Sequence, residues 1–392
     1  MSSVAAAASP ALRTENPIRV MVVDDAIVVR SLLARWVDAE PDMRIVASLR
    51  DGRKAVTRIE QADVDVVVLD IDMPELDGIS ALPLLLEKKR DLVVIMVSTF
   101  TRRSAEISFR ALALGAADYI PKPESTREAT TSVEFRRELI EKIRTLGRNR
   151  FAPRVYARVG SPATAPERKP APPPRLRKAP SLQPEAVPPL HLRPFAAVVP
   201  RALVIGSSTG GPQALTALVE KLPAAIDRAP VLITQHMPPM FTTVLAEHLS
   251  RAGGRGAHEA EHNEPVLAGG IYVAPGGRHM RVVRNGDGIR IALGDDPPIN
   301  FCKPAVDALF ASAAQVWGAA ALALVLTGMG ADGTRGAEDI VAAGGSVIAQ
   351  DEATSVVWGM PRSVALAGLC SAVLPLDQIA PKIIRLFGGG RS

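Results

Sequence analysis

The chain has 392 residues, 47% hydrophobic and 22% charged. That is enough apolar content for two or more ordinary globular cores and too much for a disordered protein. No apolar run reaches the ~18 residues a membrane-crossing helix needs, and the two cysteines, Cys302 and Cys370, share no metal-ligand spacing. Both facts suit a cytoplasmic protein without membrane insertion, in a reducing compartment. Residues 1–15 open with an alanine-rich stretch, Val4–Ala8, that has no basic residue before it. This is a poor signal peptide, and a disordered tail is expected.

From residue 16 the pattern alternates between apolar strands and amphipathic helices. Ile18–Val23 is a strand running into Asp24 and Asp25, and Val64–Leu69 is a strand running into Asp70. Leu92–Val97 ends at Ser98, and a further short strand leads to Tyr119-Ile120-Pro121-Lys122-Pro123. Helices are expected over Ile27–Glu40, Arg53–Gln61, Gly78–Lys89, Arg102–Leu114 and Glu134–Leu146. Five βα units imply a doubly wound parallel sheet with its site at the carboxyl ends of the strands.

Residue type then suggests the chemistry. Carboxylates converging on one rim repel each other unless a divalent cation joins them, and magnesium prefers oxygen ligands and tolerates phosphate. A carboxylate can attack a phosphoryl group. Lys122 can balance charge on the phosphoryl oxygens, and the Ser98 hydroxyl can hydrogen-bond them. Asp65 and Asp77 read as strand-start and turn residues. Val-Val-Asp-Asp, Leu-Asp-Ile-Asp-Met-Pro-Glu-Leu-Asp-Gly, Met-Val-Ser and Tyr-Ile-Pro-Lys-Pro resemble the motifs of two-component receiver domains, over residues 16–146. The resemblance implies that Asp70 is the phosphoacceptor and that a histidine kinase is the phosphodonor. It implies Mg2+ held by Asp24, Asp25 and the backbone carbonyl of Asp72. It also implies a switch set of Ser98, Tyr119 and Lys122, and a cis bond before Pro123. Asp72 departs from the glutamate more usual in receivers of this kind.

Residues 147–198 differ in composition. Ala171-Pro172-Pro173-Pro174 and a series of arginines and lysines (Arg148, Arg150, Arg154, Arg168, Lys169, Arg175 among them) stand against few acids. Much of the net charge of +5 and the pI near 9.4 comes from here. Such a segment is expected to be an extended, solvated linker. Aromatics are nearly absent from it, which argues against base stacking, so nucleic acid is not an expected partner.

The third region, 199–392, again carries strand-like runs, each followed by a polar or glycine-rich turn. Ala202–Ile205 precedes Gly206-Ser207-Ser208-Thr209-Gly210-Gly211, and a helix is expected over Pro212–Glu220. Pro212 fits a first helical turn, where its missing N–H costs nothing. Gly-x-Ser-x-Gly between strand and helix has the context of a nucleophile elbow, and the helix N-terminus offers free N–H groups to an oxyanion. The same loop also reads as an anion cradle. Val231–Thr234 runs into Gln235-His236, and Leu322–Leu326 into Gly328-Met329-Gly330-Ala331-Asp332-Gly333. Ser208, His236 and Asp332 would therefore share one rim as nucleophile, base and orienting carboxylate. His279 is the second choice for the histidine. Asp295, Asp296 and Asp307 compete with Asp332. The chain order Ser, His, Asp is not that of an α/β-hydrolase, which runs Ser, Asp, His.

Gly-Ser-Ser-Thr-Gly-Gly-Pro, Ile-Thr-Gln-His-Met-Pro-Pro, Tyr-Val-Ala-Pro-Gly-Gly-Arg-His-Met, Leu-Thr-Gly-Met-Gly-Ala-Asp-Gly and Val-Trp-Gly-Met-Pro resemble the methylesterase domain of chemotaxis protein-glutamate methylesterases. The resemblance implies a Ser208–His236–Asp332 triad with Thr209, Gly210 and Met329 lining the site, and no cofactor in this half. It implies methylated glutamates on the cytoplasmic helices of chemoreceptors as substrate, with glutamine deamidation by the same acyl-enzyme route, and a receiver that blocks the active-site rim until phosphorylated. The rival reading is a receiver-regulated binding protein whose esterase-like domain is inactive. The intact Ser, His and Asp set, and the lack of a helix-turn-helix pattern after the linker, favour the enzyme.

Overall fold

A computed structural model describes residues 14, 16–122, 132–148, 190–222, 227, 229–286 and 288–390. The expected N-terminal tail, most of the linker (149–189) and Pro123 lie outside the described residues.

The N-terminal domain is built from β1 (Ile18–Val23), α1 (Ile27–Asp38), β2 (Met43–Leu49), α2 (Gly52–Arg58), β3 (Val66–Asp70), α3 (Gly78–Lys88), β4 (Val93–Ser98), α4 (Arg102–Ala113), β5 (Asp118–Pro121) and α5 (Val133–Arg148). Its five strands are all parallel, in the order β2-β1-β3-β4-β5. β3 and β4 are buried at every position, as strands covered by helices on both faces must be. β2 is at the edge and only Met43 of it is fully buried. Its weak apolar pattern is why the sequence names the flanking strands and not this one. Asp70 and Ser98 are the last residues of their strands rather than the first of the loops. Asp51, Asp77 and Thr101 cap the helices that follow them by accepting from the backbone N–H of Lys54, Ser80 and Ser104.

The C-terminal domain contains β6 (Ala202–Ser207), α6 (Gly211–Val219), β7 (Val231–Gln235), α7 (Phe241–Gly253), β8 (Ala257–Glu259), β9 (Ile271–Val273), β10 (His279–Asn285), β11 (Gly288–Gly294), α8 (Val306–Trp317), β12 (Ala321–Val325), α9 (Thr334–Ala342), β13 (Ser346–Gln350), α10 (Met360–Leu366), β14 (Ala372–Leu374) and α11 (Leu376–Phe387). Seven strands form a parallel sheet in the order β14-β13-β12-β6-β7-β9-β8, and β10 and β11 form a separate antiparallel hairpin. From β6 the chain moves outward to β7 and returns on the other side as β12. The sheet order therefore reverses between β6 and β12, and crevices at such reversals hold ligands in open α/β sheets.

The ends of the expected linker are more ordered than its composition suggests. α5 extends through Arg148. Beyond the gap, Arg193 N–H donates to the carbonyl of Cys370 at 2.9 Å and Ala196 N–H to Ser346 Oγ at 2.9 Å. Residues 190–196 thus lie along the sheet edge of the C-terminal domain rather than free of it. The domains also share one apolar cluster, which includes Phe109 and Tyr119 from the first and Phe241 and Leu245 from the second.

Candidate active site

Register places the site. Ser207 pairs with Gln235 across β6 and β7, and Gly206 pairs with Val325 of β12. Ser208 and His236 therefore leave the sheet at the same level. The backbone keeps them there: His236 N–H donates to Ser207 O at 3.1 Å, and Ser208 N–H to Thr327 O at 3.0 Å. The buried Gln235 amide ties the strands together, accepting from Ser207 Oγ at 2.7 Å and donating to Ser208 O at 2.9 Å. The left-handed residue of the turn is Gly210, at φ 76° and not Ser208, which separates this loop from a strained elbow serine. A Cβ at Gly210 would lie 2.4 Å from Val356 Cγ2. At Gly328 it would lie 2.9 Å from Ser208 Cβ, so the loop after β12 reaches the serine only because that residue is glycine.

His236 Nε2 lies 2.7 Å from Asp332 Oδ2. Asp332 is buried and accepts in addition from the N–H groups of Val306 (2.7 Å), Asp307 (3.1 Å) and Gly333 (3.0 Å). Burial alone would raise its pKa, but the histidine and these N–H groups outweigh that and hold the carboxyl below the usual range. Nδ1 of His236 faces Cys302 Sγ at 3.5 Å. Among the described residues no hydrogen bond joins Ser208 Oγ to His236. Burial of the ring favours its neutral form. The neighbouring Cys302 and the bond to Asp332 more than reverse this and lift its pKa to about 10. This arrangement therefore favours the charged imidazole.

The other candidates sort by what they touch. His279 is fully buried, with Nε2 3.0 Å from Pro297 O and Nδ1 accepting from Ala305 N–H. It shapes the 297–305 loop and does not line the cleft. Asp295 and Asp296 pair with Arg278 and Arg281 at the surface. Asp307 stands behind Asp332: its carboxylate accepts from Gly333 N–H at 2.9 Å and Gly336 N–H at 2.8 Å and so holds the loop that carries Asp332. Burial pushes Asp307 up to about 6. Thr209 is buried, and its carbonyl accepts from Thr327 Oγ1 at 2.9 Å. Met329 turns toward the N-terminal domain, with its sulfur 3.4 Å from Thr145 Oγ1 of α5. Cys302 gave no sequence signal, because a single cysteine without a partner spacing carries none.

In the N-terminal domain, Asp24, Asp25 and Asp70 each bring a carboxylate oxygen within 4.8 Å of the others. Lys122 Nζ lies 2.8 Å from both Asp24 Oδ2 and Asp70 Oδ2. Burial, with the charges of Asp24 and Asp25, pushes Asp70 up to about 6 despite Lys122. Lys122 itself is raised, since its carboxylate partners outweigh its burial. One ammonium does not balance three carboxylates, and oxygen donors with a surplus of negative charge suit a hard divalent cation. The Asp72 side chain is exposed, so any part it takes in that site falls to its backbone carbonyl. The Ser98 hydroxyl is buried 3.2 Å from that of Ser108. Tyr119 is buried against the other domain: its ring stacks on Phe241 at 4.8 Å and 3°. Phe109 stacks on His248 at 4.8 Å, and Arg102 pairs with Glu247. These contacts join α4 and β5 to α7, the helix that begins five residues after His236.

The fold and site thus define a class: a receiver joined to a parallel α/β domain that carries serine, histidine and aspartate on one rim. Comparisons with known proteins narrow it. Residues 20–134 match the response regulator receiver domain, and residues 203–383 match the CheB methylesterase. The chain is 61% identical, over the whole of both chains, to the protein-glutamate methylesterase/protein-glutamine glutaminase of group 2 operon of Rhodopseudomonas palustris. It is 60% identical to the protein of the same name from Bradyrhizobium diazoefficiens, over 97% of this chain and 96% of that one. The Thermotoga maritima CheB methylesterase catalytic domain is 41% identical over 48% of this chain and all of its own, with a TM-score of 0.47. The chain belongs to the protein-glutamate methylesterase/protein-glutamine glutaminase family, with an N-terminal receiver domain.

Proposed function

We propose that this protein is a phosphorylation-controlled hydrolase that removes methyl esters from glutamate side chains on chemoreceptor helices and deamidates glutamines there. The observation that carries the reading is that Ser208 and His236 directly follow β6 and β7 while the loop after β12 brings Asp332 to within 2.7 Å of His236. His236 takes the proton of Ser208 as its oxygen attacks the ester carbonyl. The N-terminal end of α6, around Thr209 and Gly210, supports the oxyanion. His236 then gives the proton to the departing methoxide oxygen, or to the leaving nitrogen of an amide, so that methanol or ammonia leaves, and water, deprotonated by His236, hydrolyses the acyl-enzyme and restores Ser208. Asp332 stabilises the charged imidazole throughout.

Control rests with the receiver. Asp70 accepts a phosphoryl group from a histidine kinase. Asp24, Asp25 and the Asp72 carbonyl would hold Mg2+, which when bound neutralises charge on the phosphoryl oxygens. Lys122 then leaves its pairing with Asp70 for the phosphoryl group, and the Ser98 hydroxyl leaves Ser108 to follow it. Tyr119 moves from its stack on Phe241, which weakens the seat of α4 and β5 on α7. In the unphosphorylated arrangement, Thr145 and Arg137 of α5 lie against Met329 and Phe301, beside the catalytic rim, and restrict entry of a receptor helix.

The test is hydrolysis of methylated receptor by purified variants. Ser208→Ala and His236→Ala are each expected to lose most turnover, because nucleophile and base act as a unit. Folded variants retaining more than about a tenth of wild-type turnover would refute the assignment.

A further inference from the structure

His236 has a neighbour that the reaction does not call for. Cys302 sits at the end of a tight turn in which Ile299 and Cys302 exchange backbone hydrogen bonds (3.1 and 2.8 Å) while Asn300 and Phe301 take left-handed φ values of 49° and 65°. Two consecutive non-glycine residues in that region are uncommon, and such strain gathers at functional loops. The turn fixes the sulfur, which also contacts Asn300 O at 3.4 Å. The Asn300 side chain reaches Asp307 at 3.3 Å, so the turn is braced against the support of Asp332.

The two ring nitrogens of His236 have different partners. The ionised Asp332 accepts the Nε2 proton, so in the neutral ring Nδ1 carries the lone pair. That lone pair must take the serine proton, and Cys302 Sγ covers it at 3.5 Å. We propose that Cys302 is a positioning residue that holds His236 in a resting arrangement, off Ser208, and that turnover requires this contact to be released. The inference rests on the reading of His236 as the base for Ser208.

The electrostatics agree with the geometry. The titratable groups facing the ring are Cys302 from this turn and Asp332 from the loop after β12, with Asp307 behind the latter. Burial lowers the basicity of the ring, while Cys302 and Asp332 raise it. Losing Cys302 therefore frees Nδ1 and makes the ring less basic, and both changes favour the neutral base. The turn is also within reach of the receiver: the Arg137 guanidinium of α5 lies 4.0 Å from the centroid of the Phe301 ring. Undocking α5 would loosen the turn, which adds release of the base to the uncovering of the rim. Cys370 offers an internal control, being fully buried with its thiol pushed up to about 12.

The experiment uses the full-length, unphosphorylated protein. For Cys302→Ala the expected results are a several-fold rise in kcat on methylated receptor at neutral pH and a shift of the acidic limb of the kcat profile to lower pH by about one unit or more. Cys302→Ser, whose hydroxyl does not ionise but still reaches Nδ1, is expected to show the pH shift with a smaller gain in kcat. The contact is also read without catalysis, by iodoacetamide labelling mapped by mass spectrometry. In that reaction the sulfur–carbon bond forms as the carbon–iodine bond breaks and iodide leaves, and the thiol proton is lost to solvent beside the charged imidazole. Cys302 is expected to label far faster than Cys370, and His236→Ala to slow its labelling about tenfold. An unmoved acidic limb, a lower kcat in Cys302→Ala, or equal labelling with and without His236 would overturn the inference. Turnover that survives Ser208→Ala would instead overturn the esterase reading and leave the labelling comparison intact.

Discussion

Asp70→Asn is expected to stabilise the unphosphorylated protein in the absence of divalent cations. Asp70 is 3% exposed, and its carboxyl is pushed from 3.8 up to about 6. Burial is the largest cause, the charges of Asp24 and Asp25 add to it, and Lys122 opposes. The salt bridge at 2.8 Å therefore accompanies a net cost to the carboxylate, because desolvation and like charges exceed what one ammonium returns. A rise of about two pKa units corresponds to about 3 kcal/mol, at ~1.4 kcal/mol per unit. The sign follows from linkage. Below the unfolded pKa the folded and unfolded carboxyls are both protonated and no penalty exists. As pH rises toward about 6 the unfolded chain releases its proton first, so stability falls, and above that the full penalty remains. Asparagine copies the neutral form at every pH. In chelator, Asp70→Asn should melt several degrees above wild type at pH 7.5, with the gap closing near pH 4. Excess Mg2+ should narrow the gap at pH 7.5 by stabilising wild type. A variant no more stable than wild type in chelator, or a gap independent of pH, would refute this account of the pocket.

Three other outcomes follow from the same geometry. Tyr119→Ala removes the stack on Phe241 at 4.8 Å and should raise unphosphorylated hydrolysis toward that of a fragment starting near Pro200, measured on the same receptor. Gly210→Ala forces a φ of 76° on a residue with a Cβ and places that atom 2.4 Å from Val356 Cγ2. It should cost at least ~1–2 kcal/mol in urea unfolding and depress turnover more than binding. Phosphate labelling from a small phosphodonor should require Asp70 and Mg2+, so labelling of Asp70→Asn at the wild-type level would move the phosphoacceptor elsewhere.

The sequence alone determined what local patterning controls. Apolar runs leading to Asp24, Asp70, Ser98, Ser208 and His236 mark strands whose carboxyl ends hold the candidate site residues, since a parallel strand buried on both faces admits almost only apolar residues until it reaches the rim. Glycines mark the site loops: those at 210 and 333 take left-handed angles, and at 206, 211 and 328 a Cβ would press on Val306, Gln235 and Ser208. The edge strand Met43–Leu49 was less legible, because partial exposure dilutes its pattern. What lay beyond the sequence was who faces whom across long separations. His279 and His236 are both histidines beside glycine- or proline-rich turns, and only packing assigns one to backbone carpentry and the other to Asp332. Asp307 competed with Asp332 on paper, whereas in space it supports that residue's loop. Cys302 stands 66 residues from His236, and Tyr119 is far in sequence from Phe241. Such contacts arise from sheet order and domain docking, which depend on the summed burial of whole faces rather than on any local run of residues.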